Sequence, residues 1–167
     1  MDSATLQALQ AFPEQLERLY RTIPASRARW TPPSWDGIPS EAFNAIGQIC
    51  HVRDVEIDGY QVRLRRLIAE QNPHLPSLPD GLAIERRYDA SDPDEVLATI
   101  RNARAATLAI IGDLTEAQLA RPGTFEGYGP ITVEALLHYL SSHDQQHLSG
   151  LQWLIGKIKS DAARNSQ

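Results

Sequence analysis

What most constrains this chain is a helical apolar stripe that recurs in four segments and, in the last of them, is interrupted by histidine. In "EALLHYLSSHDQQHLSGLQWL" the stripe runs Leu136, Leu140, His143, His147, Leu151, Leu154. That three- and four-residue spacing keeps side chains on one face of an α-helix. Such a face must be buried against other elements, so two imidazoles stand where a bundle expects leucine.

The first stripe covers about Ser3 to Thr22 through Leu6, Leu9, Phe12, Leu16, Leu19 and Tyr20, with Pro13 either starting the helix or kinking it. Ser40 is the expected N-cap of a second helix reaching about Gln71, with Phe43, Ile46, Cys50, Ile57, Tyr60, Leu64 and Leu67 on its apolar side. Ser91, with Pro93 in the first turn, opens a third helix, and Thr132 caps the fourth. The stretch from Asn72 to Ala90 is too long for a tight turn and predicts an overhand crossing between distant helix ends. "TFEGYGPIT" can form a small extended piece, and Trp30 and Trp35, in a proline-rich connection, are expected to pack onto the bundle. The expected fold is all-α: an antiparallel four-helix bundle with a long crossover connection, in a single domain over residues 1–167.

Charge narrows the partners. A net charge of −5 and a pI near 5.5 argue against nucleic acid, whose binders gather Lys and Arg into a patch. The densest basic run, Arg63, Arg65 and Arg66, reads as a solvated helix face. The lone Cys50 cannot form an internal disulfide, no apolar stretch approaches a membrane span, and the first residues lack a signal-peptide pattern, so the expected setting is the cytoplasm, without a membrane partner.

His143 and His147 stand at i and i+4, one above the other on a helix face, and two such imidazoles can converge on one metal ion. Five histidines in 167 residues place roughly 0.15 such pairs by chance, so the pair alone leaves metal binding and ordinary core-edge histidines both open. His51, on the second helix, is the natural third ligand, and Gly47 one turn before it permits close approach. A neutral three-histidine set with an open position suits Zn²⁺ or Ni²⁺. His138 lies about 140° around the helix from His143 and is expected at the surface or supporting a ligand from behind, not as a ligand itself. Cys50 is expected buried and inert. Asp54, Glu56, Asp58 and Asp144 are the nearest acids in sequence, with two roles open to them: orienting ligand imidazoles, or standing as solvated charges.

His51 in "IGQICHVRDVE" and the pair in "HYLSSHDQQHLSGLQWL" resemble the DinB/YfiT-like superfamily, whose bundles carry one histidine on the second helix and an H-x-x-x-H pair on the last. "RWTPP" resembles that family's tryptophan-containing approach to the second helix, although the approach is longer here than is typical. The resemblance implies a four-helix metal-binding fold and a homodimer.

A metal-bound water is acidified toward neutrality and a bound thiol is deprotonated, so the residues alone allow hydrolysis or thiolate attack. "HDQQH" lacks the glutamate of the H-E-x-x-H protease helix. Characterised members of the resembled family include low-molecular-weight thiol S-transferases. The resemblance therefore favours activation of such a thiol for transfer to a small-molecule electrophile, ahead of a metal-dependent hydrolase or a non-catalytic metal-binding bundle of the stress response.

Overall fold

Each apolar stripe becomes a helix in the computed structural model, which describes residues 1–164. Helix α1 covers Ser3–Arg21 and is opened by Asp2, whose carboxylate accepts from the Thr5 N–H at 2.8 Å. Pro13 lies inside it, and the helix runs on through it. Proline has no N–H to offer the carbonyl of Leu9 four residues back. The Arg104 guanidinium takes that carbonyl instead, from another helix, at 2.9 Å.

Helix α2 occupies residues 45–69 as Ala45–Asp54, a π-helical segment Val55–Tyr60, and Gln61–Ala69. Its N-cap is Asn44, which accepts from the Gly47 N–H at 3.0 Å, and not Ser40. Residues 40–43 instead fold back on the helix. A Cβ at Gly47 would lie 2.9 Å from the Phe43 Cβ, so glycine there permits this return. Helix α3 covers Pro93–Gly112, with Asp92 as its cap, one residue later than expected. Helix α4 covers Val133–Arg164, and the Thr132 hydroxyl accepts from the Ala135 N–H at 3.1 Å.

The helices run up, down, down and up. Thr5 meets His138 near the starts of α1 and α4, and Leu16 shares a buried cluster with Leu151 further along both, so these two are parallel. Ile46 and Ile49 pack with Val96 and Leu97 at one end, and Leu64 and Leu67 with Ile111 at the other, so α2 and α3 are parallel too. The antiparallel neighbours are α1 with α3 and α2 with α4. A parallel pair needs an overhand return, and residues 70–92 make it, as their length suggests.

That return climbs along α2, tied to its side chains. Arg66 donates to the His74 carbonyl at 2.8 Å, and Arg63 to the Pro76 carbonyl at 2.9 and 3.2 Å. Arg63 is only 6% exposed and its guanidinium lies 4.4 Å from the centre of the Phe125 ring. Arg63 and Arg66 are therefore a clamp on the crossover and not part of the solvated face expected, while Arg65 is exposed as expected. The crossover carbonyls of Pro73 and Leu75 are met by the N–H groups of Thr124 and Glu126, and those of His74 and Pro76 by the two arginines. Further on, Arg86 reaches Asp58 and the Tyr88 hydroxyl donates to Asp54 at 2.7 Å.

A small sheet closes one end: β1 (His74–Leu75) pairs parallel with β2 (Pro122–Phe125), which pairs antiparallel with β3 (Gly129–Thr132). The extended piece expected at "TFEGYGPIT" is thus a hairpin, and its third strand comes from the crossover. Trp35 stacks on Trp153 of α4 at 6.1 Å between ring centres, the packing role expected of it. No helix among the described residues is long and apolar enough to cross a membrane.

Candidate metal centre

The antiparallel contact of α2 with α4 brings His51, His143 and His147 together. Nε2 of His143 lies 3.4 Å from Nε2 of His51 and 3.1 Å from Nε2 of His147. The Glu41 carboxylate, from the loop before α2, stands 3.6 Å from Nε2 of His51 and 3.2 Å from Nε2 of His147. All four donor atoms lie within 4.8 Å of one another. Donors at ~2.0–2.1 Å from a tetrahedral ion are about 3.4 Å apart, so the rings are spaced as ligands around one centre, and the Glu41 carboxylate stands where it can complete the set or act as a base beside an ion on the three histidines. Without such a centre the ring nitrogens satisfy each other poorly, since two facing nitrogens can share only one proton. The cluster can hold a divalent metal.

Local sequence explains the aim of each group. His143 and His147 are one turn apart on α4. Their rings face α2 because they continue the leucine stripe, and His147 is fully buried. Its Nδ1 donates to the Gln48 carbonyl oxygen at 2.5 Å, which leaves the Nε2 lone pair pointing into the cluster. Gln48, also fully buried, lies on α2 three residues before His51 and so on the same face. Its amide nitrogen donates to the carbonyls of Glu41 at 2.9 Å and Phe43 at 3.1 Å and to the Ser40 hydroxyl at 3.0 Å. Gly150 makes room on α4: a Cβ there would meet Ser40 Oγ at 2.2 Å.

Burial, reinforced by the neighbouring imidazoles, pushes the His143 ring well below the ordinary histidine range. Burial also lowers His147, against the pull of the Glu41 carboxylate. Both rings are therefore held in the neutral form that ligates metals. The imidazoles of His147 and His51 beside it hold the Glu41 carboxyl far below the usual carboxylate range, so it is ionised. His51 and Glu41 line a cavity of about 260 Å³ whose walls include Phe43, Leu78, Leu82 and Tyr88. The cluster is reached from that side.

The remaining residues singled out from sequence lie elsewhere. His138 is exposed and sits beside Thr5 and Asp2, and Cys50 is buried. Asp58, with its side chain 39% exposed, fits the solvated reading, whereas Asp54, Glu56 and Asp144 are buried and fit neither of the roles weighed. Asp54 accepts from Arg53 and Tyr88, Asp58 from Arg86, and Glu56 and Asp144 both grip the buried Arg104. Sequence reasoning missed Glu41 and Gln48. Glu41 was hidden because Ser40 reads as a helix cap, which would have turned the glutamate into a first-turn residue. Gln48 was legible in principle, as a polar side chain sharing a face with His51.

Residues 8–150 match the DinB superfamily. The chain belongs to this superfamily. Among solved structures, the DinB-type bundle seen here is similar to that of YfiT from Bacillus subtilis, described as a probable metal-dependent hydrolase with an unusual four-helix bundle topology. The TM-score is 0.82 at 19% identity, over 95% of this chain and 90% of that one. At this identity the likeness speaks for the fold. No curated protein matches the chain.

Proposed function

We propose that this DinB-superfamily protein is a metal-dependent hydrolase of a small molecule, in which His51, His143 and His147 hold a zinc or nickel ion and Glu41 is the general base. The observation that carries the reading is the ionised Glu41 carboxylate, which adjoins the three histidines and lines the cavity leading to them. It supplies from a loop the base that "HDQQH" lacks within its helix. A borderline divalent ion on three neutral imidazoles supplies Lewis acidity that brings the pKa of a water toward 7. The chain does the rest: Gln48 fixes the His147 tautomer, burial keeps His143 and His147 uncharged, and a Glu41 oxygen accepts the nucleophile's proton.

Thiol S-transfer to an electrophile is the second reading. The cavity has room for a low-molecular-weight thiol beside His51, Glu41 would accept the thiol proton as it would that of water, and the superfamily resemblance supports it. The homodimer rests on the same resemblance, a cytoplasmic setting on the unpaired Cys50, and the lack of a nucleic-acid partner on the acidic net charge.

The test compares metal-loaded protein, metal-free protein and Glu41→Gln on a panel of aryl esters and small amides, with and without a cellular thiol and an electrophile. Metal-dependent hydrolysis that falls about 100-fold in Glu41→Gln, with the ion retained, is the expected outcome. Turnover only with thiol present would select the second reading, and loss of the ion from Glu41→Gln would make Glu41 a ligand. Absence of any metal-dependent turnover would leave a metal-binding bundle without catalysis.

A further inference from the structure

Glu41 reaches the histidines from a loop, whereas the histidines stand on helices, and the same buried side chain touches both parts. The Gln48 carbonyl oxygen accepts from Nδ1 of His147 at 2.5 Å, while its amide nitrogen donates to the Glu41 carbonyl at 2.9 Å, the Phe43 carbonyl at 3.1 Å and Ser40 Oγ at 3.0 Å. We propose that Gln48 is a positioning residue that couples the two halves of the site, so that seating the ion on the histidines and presenting the Glu41 carboxylate are one event. The inference rests on the metal-centre reading above and adds to it the link between ligand and base.

A primary amide offers an acceptor and a donor pointing in opposite directions on one rigid plane, so fixing one end aims the other. The acceptor end meets Nδ1 of His147, and an ion drawing density from Nε2 makes that N–H a stronger donor. The donor end then holds loop 40–43, which folds back against α2 through Gly47 and lies close to α4 at Gly150. The two glycines show how near these approaches are: a Cβ at Gly47 would meet the Phe43 Cβ at 2.9 Å, and one at Gly150 would meet Gln48 Oε1 at 3.2 Å. Because Gln48 is fully buried, water cannot replace either set of bonds cheaply. Loss of the His147 bond is therefore felt in the loop, and loss of the loop bonds is felt at His147.

Two substitutions separate the ends. Gln48→Met removes both. Gln48→Glu keeps an oxygen facing His147 and the Ser40 hydroxyl, which donates to it at 3.2 Å, and removes the amide donor that holds the Glu41 and Phe43 carbonyls. The measurements are zinc affinity by titration into the metal-free protein and hydrogen exchange at residues 40–43 with and without zinc, alongside circular dichroism to establish that each variant is folded. In the unaltered protein zinc is expected to slow exchange in the loop. In Gln48→Met, affinity should fall about 10- to 100-fold and the loop should exchange equally fast in both states. In Gln48→Glu, affinity should stay within a few-fold of the parent while zinc no longer protects the loop. Protection by zinc that persists in both variants would overturn the coupling, as would parental affinity in Gln48→Met. Failure of the unaltered protein to bind zinc would instead overturn the metal-centre reading, so the two failures are distinct.

Discussion

At the scale of single residues, the site depends on keeping imidazoles neutral while aiming them at each other. Both His143 and His147 are shifted below the ordinary range, first by burial. An imidazole whose folded pKa is depressed contributes stability above its unfolded value of about 6.5, and that stability is lost as pH falls below it and the unfolded chain takes up protons. In metal-free protein, the ring protons of His143 and His147 followed by NMR should therefore titrate below pH 6.5, those of His143 well below it. A midpoint at or above that value for either ring would contradict the burial argument. Individual residues also differ in how far sequence reveals them. His143 and His147 stood out because they break a leucine stripe, and His51 because it borders another. Glu41 carries no periodic signal, since its position depends on a loop returning through Gly47, and no spacing rule anticipates that return.

At the scale of elements, the bundle is keyed by one buried cation. Arg104 of α3 donates to Glu56 of α2, to Asp144 of α4 and to the Leu9 carbonyl of α1, so a single side chain touches all four helices. Glu56 lies in the π-helical segment, and its Oε1 also accepts from the Thr107 hydroxyl at 2.5 Å. Asp144 directly follows His143, so this network sets the register of α4 against α2, on which the histidine cluster depends. Replacing Arg104 by methionine leaves two buried carboxylates without their cation. Removing one partner of a buried ionic network costs about 3–5 kcal/mol, and urea denaturation of metal-free Arg104→Met should show a loss of that order. A loss under about 1 kcal/mol would contradict the keying role. The four helices were legible from apolar spacing alone, but this network was not: Glu56 and Asp144 read as either imidazole-orienting groups or solvated charges, not as partners of a buried arginine, and the π segment that turns Glu56 inward has no periodic signature. Pro13 is the related case, an apparent helix breaker tolerated because the carbonyl it frees has a partner on α3.

At the scale of the molecule, the order of the helices is what builds the site. Parallel pairs α1 with α4 and α2 with α3 require the 70–92 crossover, and that crossover supplies the Leu78, Leu82 and Tyr88 walls of the cavity. The length of the connection made the crossing legible in the sequence. Its clamping by Arg63 and Arg66 was not, because a charge on a helix looks the same whether it meets water or a passing carbonyl. An ion held between α2 and α4 would tie together two helices that are distant in sequence, so metal binding and folding should be linked. The decisive measurement is calorimetric titration of zinc and nickel into metal-free protein and into His51→Ala, His143→Ala and His147→Ala. A centre built on these three histidines predicts one ion per chain in the unaltered protein and a loss of at least about 100-fold in affinity in each variant. Undiminished affinity in any one of the three would contradict it.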